Sequence, residues 1–81
     1  MTKLIQIYAI VFDYRRFAAD ILAARLETGM TVREVSELVG CSGSMISRYE
    51  QGKEANPHMQ NFLKLCNAYD LNPVTYFMLA D

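Results

Sequence analysis

The stretch Thr31-Val32-Arg33-Glu34-Val35-Ser36-Glu37-Leu38-Val39-Gly40-Cys41-Ser42-Gly43-Ser44-Met45-Ile46-Ser47-Arg48-Tyr49-Glu50 decides the fold. It reads as two short helices joined by a tight turn. Thr31 and Glu34 have the spacing of a capping box: the threonine hydroxyl accepts from a backbone N–H, and the glutamate reaches back. Val35, Leu38 and Val39 supply a buried stripe for the first helix. Gly40 ends it, being free to take positive φ. Ser42 caps the second helix, and Met45, Ile46 and Tyr49 give it one apolar side. Ser36 is small and stands where the two helices cross closely. That packing turns Gly43, Ser44, Ser47 and Arg48 outward at the front of the second helix. A helix presented this way fits the major groove of DNA.

Working outward, a helix is expected over Tyr14 to Thr28, with Asp13 as its N-cap and Gly29 as its stop. Phe17, Ile21, Leu22 and Leu26 are its candidate core residues. After Gly52, Lys53-Glu54-Ala55-Asn56-Pro57 forms a loop. A helix follows from about His58 to Tyr69, with Met59, Phe62, Leu63, Leu65 and Cys66 as core candidates. Asn72-Pro73 gives a cap and a first-turn proline, opening a last short helix from Pro73 to Leu79 anchored by Tyr76, Phe77 and Leu79. The expectation is an all-α fold of five helices joined by short loops.

Residues 1–13 form an apolar arm, and residues 14–81 the helix-turn-helix domain. Within the arm, Leu4 to Phe12 is rich in β-branched and aromatic residues, which favours a strand. Leu4, Tyr8, Val11 and Phe12 also fit helical spacing, so a helix extension stays open. Apolar residues fall on both faces in either case, and such a segment needs cover. Two covers are open: pairing with its copy in a symmetric homodimer, or folding back onto its own domain.

Composition bounds the function. A chain of 81 residues is one domain, and 52% hydrophobic content supplies one core. The formal net charge is −1, so a nucleic-acid reading gains nothing from overall charge and rests on geometry. Cys41 and Cys66 stand alone, without zinc-like spacing, and read as small buried residues. The apolar arm is too short to span a bilayer, which takes about 20 residues. No convincing cleavage site follows it, so a cytoplasmic protein with no membrane role is expected. There is no glycine-rich phosphate loop and no activated nucleophile. His58, the only histidine, sits at a helix start. No catalytic residue, metal, cofactor or small-molecule ligand is expected, and the chain is not read as an enzyme.

The run Gly40-Cys41-Ser42-Gly43-Ser44-Met45-Ile46-Ser47-Arg48-Tyr49-Glu50-Gln51-Gly52-Lys53 is similar to the glycine-turn, isoleucine-serine and tyrosine-glutamate-x-glycine pattern of the Cro/XRE, lambda-repressor-like helix-turn-helix family. Asn56-Pro57 and Leu63-x-Leu65-Cys66-x-Ala68 continue the pattern, and the resemblance runs from about Ile21 to Leu79. It implies a five-helix lambda-repressor-like DNA-binding domain with a recognition helix at about 43–51. Ser42, Gly43, Ser44, Ser47 and Arg48 fall on base-facing positions. Thr31 to Arg33 fall where a helix start meets a phosphate, and Lys53 lies in a loop that touches the DNA backbone. Arg25 and Glu50 match a structural ion pair. Val32 departs from the pattern, since many relatives carry glutamine there.

The chemistry agrees with those roles. An arginine at position 48 can bind guanine O6 and N7 with both arms of its fork, while Arg33 and Lys53 can neutralise phosphates. The expected function is a repressor-like, sequence-specific transcriptional regulator of bacterial or phage type, acting on double-stranded DNA as a homodimer. The alternative is a protein-binding helix-turn-helix module such as an antitoxin, an anti-repressor or a polymerase-binding factor. The acidic balance, Val32 and Gly43 lean toward that alternative.

Overall fold

Asp13 starts the helical body. Its Oδ1 accepts the Arg16 N–H at 3.1 Å, which begins helix α1 (Tyr14–Thr28). The structure is a computed structural model and describes residues 9–80. Strand β1 (Ala9–Phe12) precedes α1; helices α2 (Val32–Val39), α3 (Gly43–Glu50) and α4 (Met59–Ala68) follow. A 3-10 turn over Pro73–Tyr76 then leads into strand β2 (Phe77–Ala80).

Each boundary has a local cause. The Thr31 hydroxyl accepts the Glu34 N–H, and the Glu34 carboxylate accepts the Thr31 N–H, so both halves of the capping box form. Gly40 closes α2 at φ 84°, a left-handed conformation that costs glycine nothing. Ser42 caps α3 through its hydroxyl. His58 is the N-cap of α4 but makes no side-chain capping bond.

The core is one cluster. Ile21, Val35 and Ile46 are fully buried, together with Phe17, Tyr49, Phe62, Leu65, Cys66 and Tyr76. Its aromatic half is edge-packed: the Phe17 and Phe62 rings lie 4.9 Å apart, and Phe12 meets Phe62 at 5.2 Å. Burying each such side chain contributes about 1.5–3 kcal/mol, so losing any one of them removes a large share of a small domain's net stability. Both cysteines are buried and unpaired.

Several expected core residues lie outside. Leu26 is 64% exposed and Leu38 73%. Leu26 sits about 140° round α1 from Ile21, and Leu38 sits about a third of a turn from the stripe of Val32, Val35, Ser36 and Val39. Leu63 is displaced in the same way from Phe62, Leu65 and Cys66, and Met59 lies exposed at the first turn of α4. Apolar residues at near-helical spacing therefore overstate the width of each buried stripe.

The largest correction is at the C-terminal end. The expected fifth helix, Pro73 to Leu79, is a single 3-10 turn that gives way to β2. Among the described residues, the fold is four helices and a two-stranded sheet, not five helices. Asn72 caps the turn by accepting the Val74 N–H. The chain then extends because a partner is waiting: β1 pairs antiparallel with β2, Ala9 opposite Ala80 and Phe12 opposite Phe77. A bond from Asp13 N to the Tyr76 carbonyl at 2.7 Å closes the sheet against the body. The arm's described part, Ala9–Phe12, is thus a strand folded onto its own chain; the rest of the arm lies outside the described residues. Phe77 and Leu79, expected as anchors, are both exposed on β2. Among the described residues, no helix is long and apolar enough to cross a membrane.

Candidate nucleic-acid interface

The angle between α2 and α3 is set within the turn itself. The Ser36 hydroxyl donates to the Cys41 carbonyl, and the Gly40 N–H returns to the Ser36 carbonyl at 2.9 Å. Cys41 is buried, its Sγ 3.4 Å from Asn61 Oδ1 on α4. Burial raises its pKa, which suits a packing role over a reactive one.

Gly43 does not face outward as the sequence suggests. It is half-buried, and a Cβ built on it would lie 3.7 Å from Val32 Cγ1 and 4.0 Å from Ser36 Cβ. It lines the crossing of α2 and α3. The Ser42 hydroxyl is occupied too: it accepts the Met45 N–H at 3.2 Å and shares a hydrogen bond with Ser44 Oγ at 3.0 Å. Ser47 is half-buried. The exposed positions on and just after α3 are Ser44, Arg48 and Gln51. Their spacing of four and three puts them on one stripe. The sequence reading did not single out Gln51, though that spacing from Ser44 and Arg48 was available to find it.

Arg48 is aimed outward but not unattended. Its side chain is 51% exposed, and Nη2 lies 3.7 Å from Glu54 Oε2. Glu54 is held from the other side, since its Oε1 accepts the Asn56 N–H at 3.3 Å. The loop after α3 thereby brings a carboxylate to the edge of the outward stripe. This residue also escaped the sequence reading, because only the folded loop brings it to Arg48.

The other two cations of the expected interface lie on α2 and in the loop after α3. Arg33 Nε lies 3.4 Å from Glu37 Oε1 one turn along α2, with both side chains highly exposed. Lys53 is exposed at the start of the loop, and its N–H donates to the Arg48 carbonyl. Thr31 is exposed at the start of α2, its hydroxyl committed to the cap. Backbone and side-chain bonds from Thr31 hold the Glu34 carboxyl below the usual carboxylate range.

Arg25 and Glu50 brace α3 from behind. Arg25 donates from Nε to Glu50 Oε2 at 2.7 Å and from Nη2 to Oε1 at 2.9 Å, a two-armed fork. Its Nη1 donates to the Met30 carbonyl at 3.1 Å. The two side chains are only 16% and 7% exposed. The hydrogen bond to Glu50 raises the Arg25 pKa further, so the charge is permanent. One guanidinium thus ties together α1, the loop into α2 and the end of α3.

Comparison with known proteins agrees with this geometry. The family model described as helix-turn-helix matches residues 21–76, which run from the middle of α1 through α2, α3 and α4 to the 3-10 turn. Among solved structures, the chain is similar to the restriction-modification controller protein C.AhdI from Aeromonas hydrophila. The TM-score is 0.65 at 28% sequence identity, over 80% of this chain and 97% of that one. No curated protein sequence matches the chain.

Proposed function

Because the chain belongs to the helix-turn-helix family, we propose that it is a sequence-specific transcriptional regulator of bacterial or phage type, inserting α3 into the major groove and occupying its operator as a homodimer. The observation that carries the reading is the outward stripe of Ser44 and Arg48 on a helix pinned at both ends. Ser42 and the Gly40 turn fix the front of α3, and the Arg25–Glu50 fork fixes its end. A rigid carrier is what base readout requires, because a side chain displaced by an ångström loses its hydrogen bonds.

In this reading Arg48 takes a guanine edge, Ser44 and Ser47 bond base edges or phosphates, and Arg33 and Lys53 position the backbone. Thr31 marks the start of α2, whose main-chain N–H groups face a phosphate. Ser42 and Gly43 act by shaping the front of α3. Two-fold symmetry asks for a roughly palindromic operator with half-sites about one helical turn apart. Regulation follows from occupancy, by blocking or recruiting polymerase. The likeness to a restriction-modification controller supports the regulator reading.

Selection of sites from a random DNA pool tests it. A palindromic site should enrich, and Arg48→Ala should weaken binding to it by about 1–3 kcal/mol while leaving random DNA little affected. A pool from which nothing enriches would overturn the proposal.

A further inference from the structure

Most cations of this chain already have a carboxylate. Arg16 pairs with Asp20, Arg25 with Glu50, Arg33 with Glu37 and Arg48 with Glu54. Among the described residues, Arg15, Lys53 and Lys64 have no such partner, and each is exposed. Unmatched cations are the ones that hold phosphates, so the positions of these residues set how far a DNA contact can extend. Lys53 is already on the proposed interface; Arg15 and Lys64 are not.

Arg15 stands beside Lys53's corner of the molecule. The seam between α1 and the end of α3 begins at the Arg25–Glu50 fork. It continues to Ala18, where a Cβ built on Gly52 would lie 3.9 Å from Ala18 Cβ. Lys53 follows Gly52 directly, its N–H held by the Arg48 carbonyl. Arg15 is three residues before Ala18, about 4.5 Å back along the axis of α1 and about 60° round it. That turn is away from the buried Phe17 and Ile21, so Arg15 lies on the solvent side of the seam. Its guanidinium carbon lies 5.8 Å from the centroid of the Tyr14 ring. An aromatic face steadies a cation without neutralising it.

The other candidates are placed differently. Arg16 lies about 160° round α1 from Ala18, over the Tyr76 ring at 5.8 Å. Lys64 is on α4, and its Nζ stands 3.8 Å from where a Cβ on Gly40 would be, at the turn before α3. That is the end of α3 opposite to Lys53.

We propose that Arg15 is a further DNA-backbone contact. It takes a phosphate next to the one neutralised by Lys53, so the interface runs from α3 across the loop onto the start of α1. The inference rests on the regulator reading above and extends it to a residue before the matched helix-turn-helix. Charge selects the occupant: two unmatched cations at one corner, continuous with the proposed reading surface, complement a row of phosphates. A phosphate contact fixes register and orientation and carries no base information. Arg15 therefore adds the same increment at every site, whereas Arg48 adds one only where its base is present.

Fluorescence anisotropy on the selected operator and on single-base variants of it, across a salt series, tests the assignment. Arg15→Ala should weaken binding by about fivefold at low salt, the scale of one exposed ion pair, and equally on every sequence. It should reduce the salt slope by about 0.9, so its effect shrinks by roughly three- to fourfold between 50 and 200 mM salt. Arg15→Lys should keep the wild-type slope, since the charge remains. Arg16→Ala and Lys64→Ala remove the same charge elsewhere and should leave the slope unchanged. Thermal melts check that every variant folds. An Arg15→Ala slope equal to that of the wild type would overturn the inference. So would an equal loss of slope in Arg16→Ala or Lys64→Ala, which would make the effect one of net charge. Either result, with the wild type still selecting its operator, leaves the regulator standing and removes only this contact; a wild type that binds no DNA even at low salt removes both.

Discussion

Replacing Glu54 by glutamine isolates an ion pair that, on the reading proposed above, competes with DNA for Arg48. The carboxylate lies 3.7 Å from the guanidinium. At about 4 Å a pair of unit charges interacts with about 1 kcal/mol in bulk water and about 4 kcal/mol at an effective dielectric of 20. Arg48 is half exposed and Glu54 a quarter, so the surface-pair value applies, about 0–1 kcal/mol net. Glutamine keeps the length and the oxygen that accepts the Asn56 N–H, so the loop should hold its shape. A guanine contact would then no longer draw Arg48 away from a carboxylate. Operator affinity should rise by up to about fivefold, which is about 1 kcal/mol. Loss of a negative charge beside the phosphates acts in the same direction and fades with salt. Fluorescence anisotropy on the selected operator, at low and moderate salt, reads both parts. In an Arg48→Ala background the gain should shrink to the salt-sensitive part alone. Weaker binding by Glu54→Gln would refute the reasoning, because it would mean that the carboxylate holds Arg48 in its reading position.

Three further outcomes follow from the fold. Arg25→Met leaves the Glu50 carboxylate nearly buried and unpaired; it should cost about 3–5 kcal/mol, a large share of the roughly 4–12 kcal/mol expected for a chain of this length, and a loss below about 1 kcal/mol in denaturant titration would contradict the brace. Gly43→Ala places its Cβ at ordinary contact distance from Val32 and should raise stability by up to about 1 kcal/mol, with operator affinity unchanged; a marked loss of binding would show that DNA approaches this backbone. Burial and the 2.6 Å hydrogen bond to Asp20 push the Tyr76 phenol well above its ordinary value of 10.0. The folded chain thus keeps a proton that the unfolded chain gives up, so stability is whole below pH 10 and falls as pH rises beyond it; thermal melts should show that fall in the wild type and less of it in Tyr76→Phe.

What the sequence made legible was local. The capping box at Thr31, the turn at Gly40 and the cap at Ser42 involve residues within a few positions of one another, and each formed as its spacing implied. The strand character of Ala9–Phe12 was legible, but its pairing with β2 was not, because Ile10 and Leu79 meet only after the whole domain has folded between them. Read alone, Pro73 to Leu79 has a helix start and apolar residues at helical spacing. A strand partner from the other end of the chain overrides that preference, as tertiary context commonly does. Arg25 and Glu50 stand 25 residues apart, and only the family resemblance linked them. Gly43 misled in a different way. A glycine on a helix face shows no side chain by which to judge direction, and its missing Cβ turned out to mark the crossing with α2.

The acidic balance, which leaned against DNA, has another explanation in the fold. Asp13 caps α1, Asp20 holds Tyr76, Glu34 completes a cap, and Glu37, Glu50 and Glu54 each sit on an arginine. These carboxylates have partners within the chain, and two of those arginines, Arg33 and Arg48, lie on the proposed interface. On the reading proposed above, the consequence is low affinity for random DNA, since sequence-independent binding comes from unmatched cations against phosphates. Discrimination is the gap between operator and random binding, so a weak background widens it without stronger base contacts. The cost falls on total affinity, because one half-site offers few contacts. Joining two copies restores it: the second half-site then binds at the high effective concentration set by the first. On that reading, a weakly charged reading face and the proposed homodimer belong to one design. Occupancy in it depends steeply on protein concentration, and the salt slope stays shallow, at about −0.9 per phosphate neutralised.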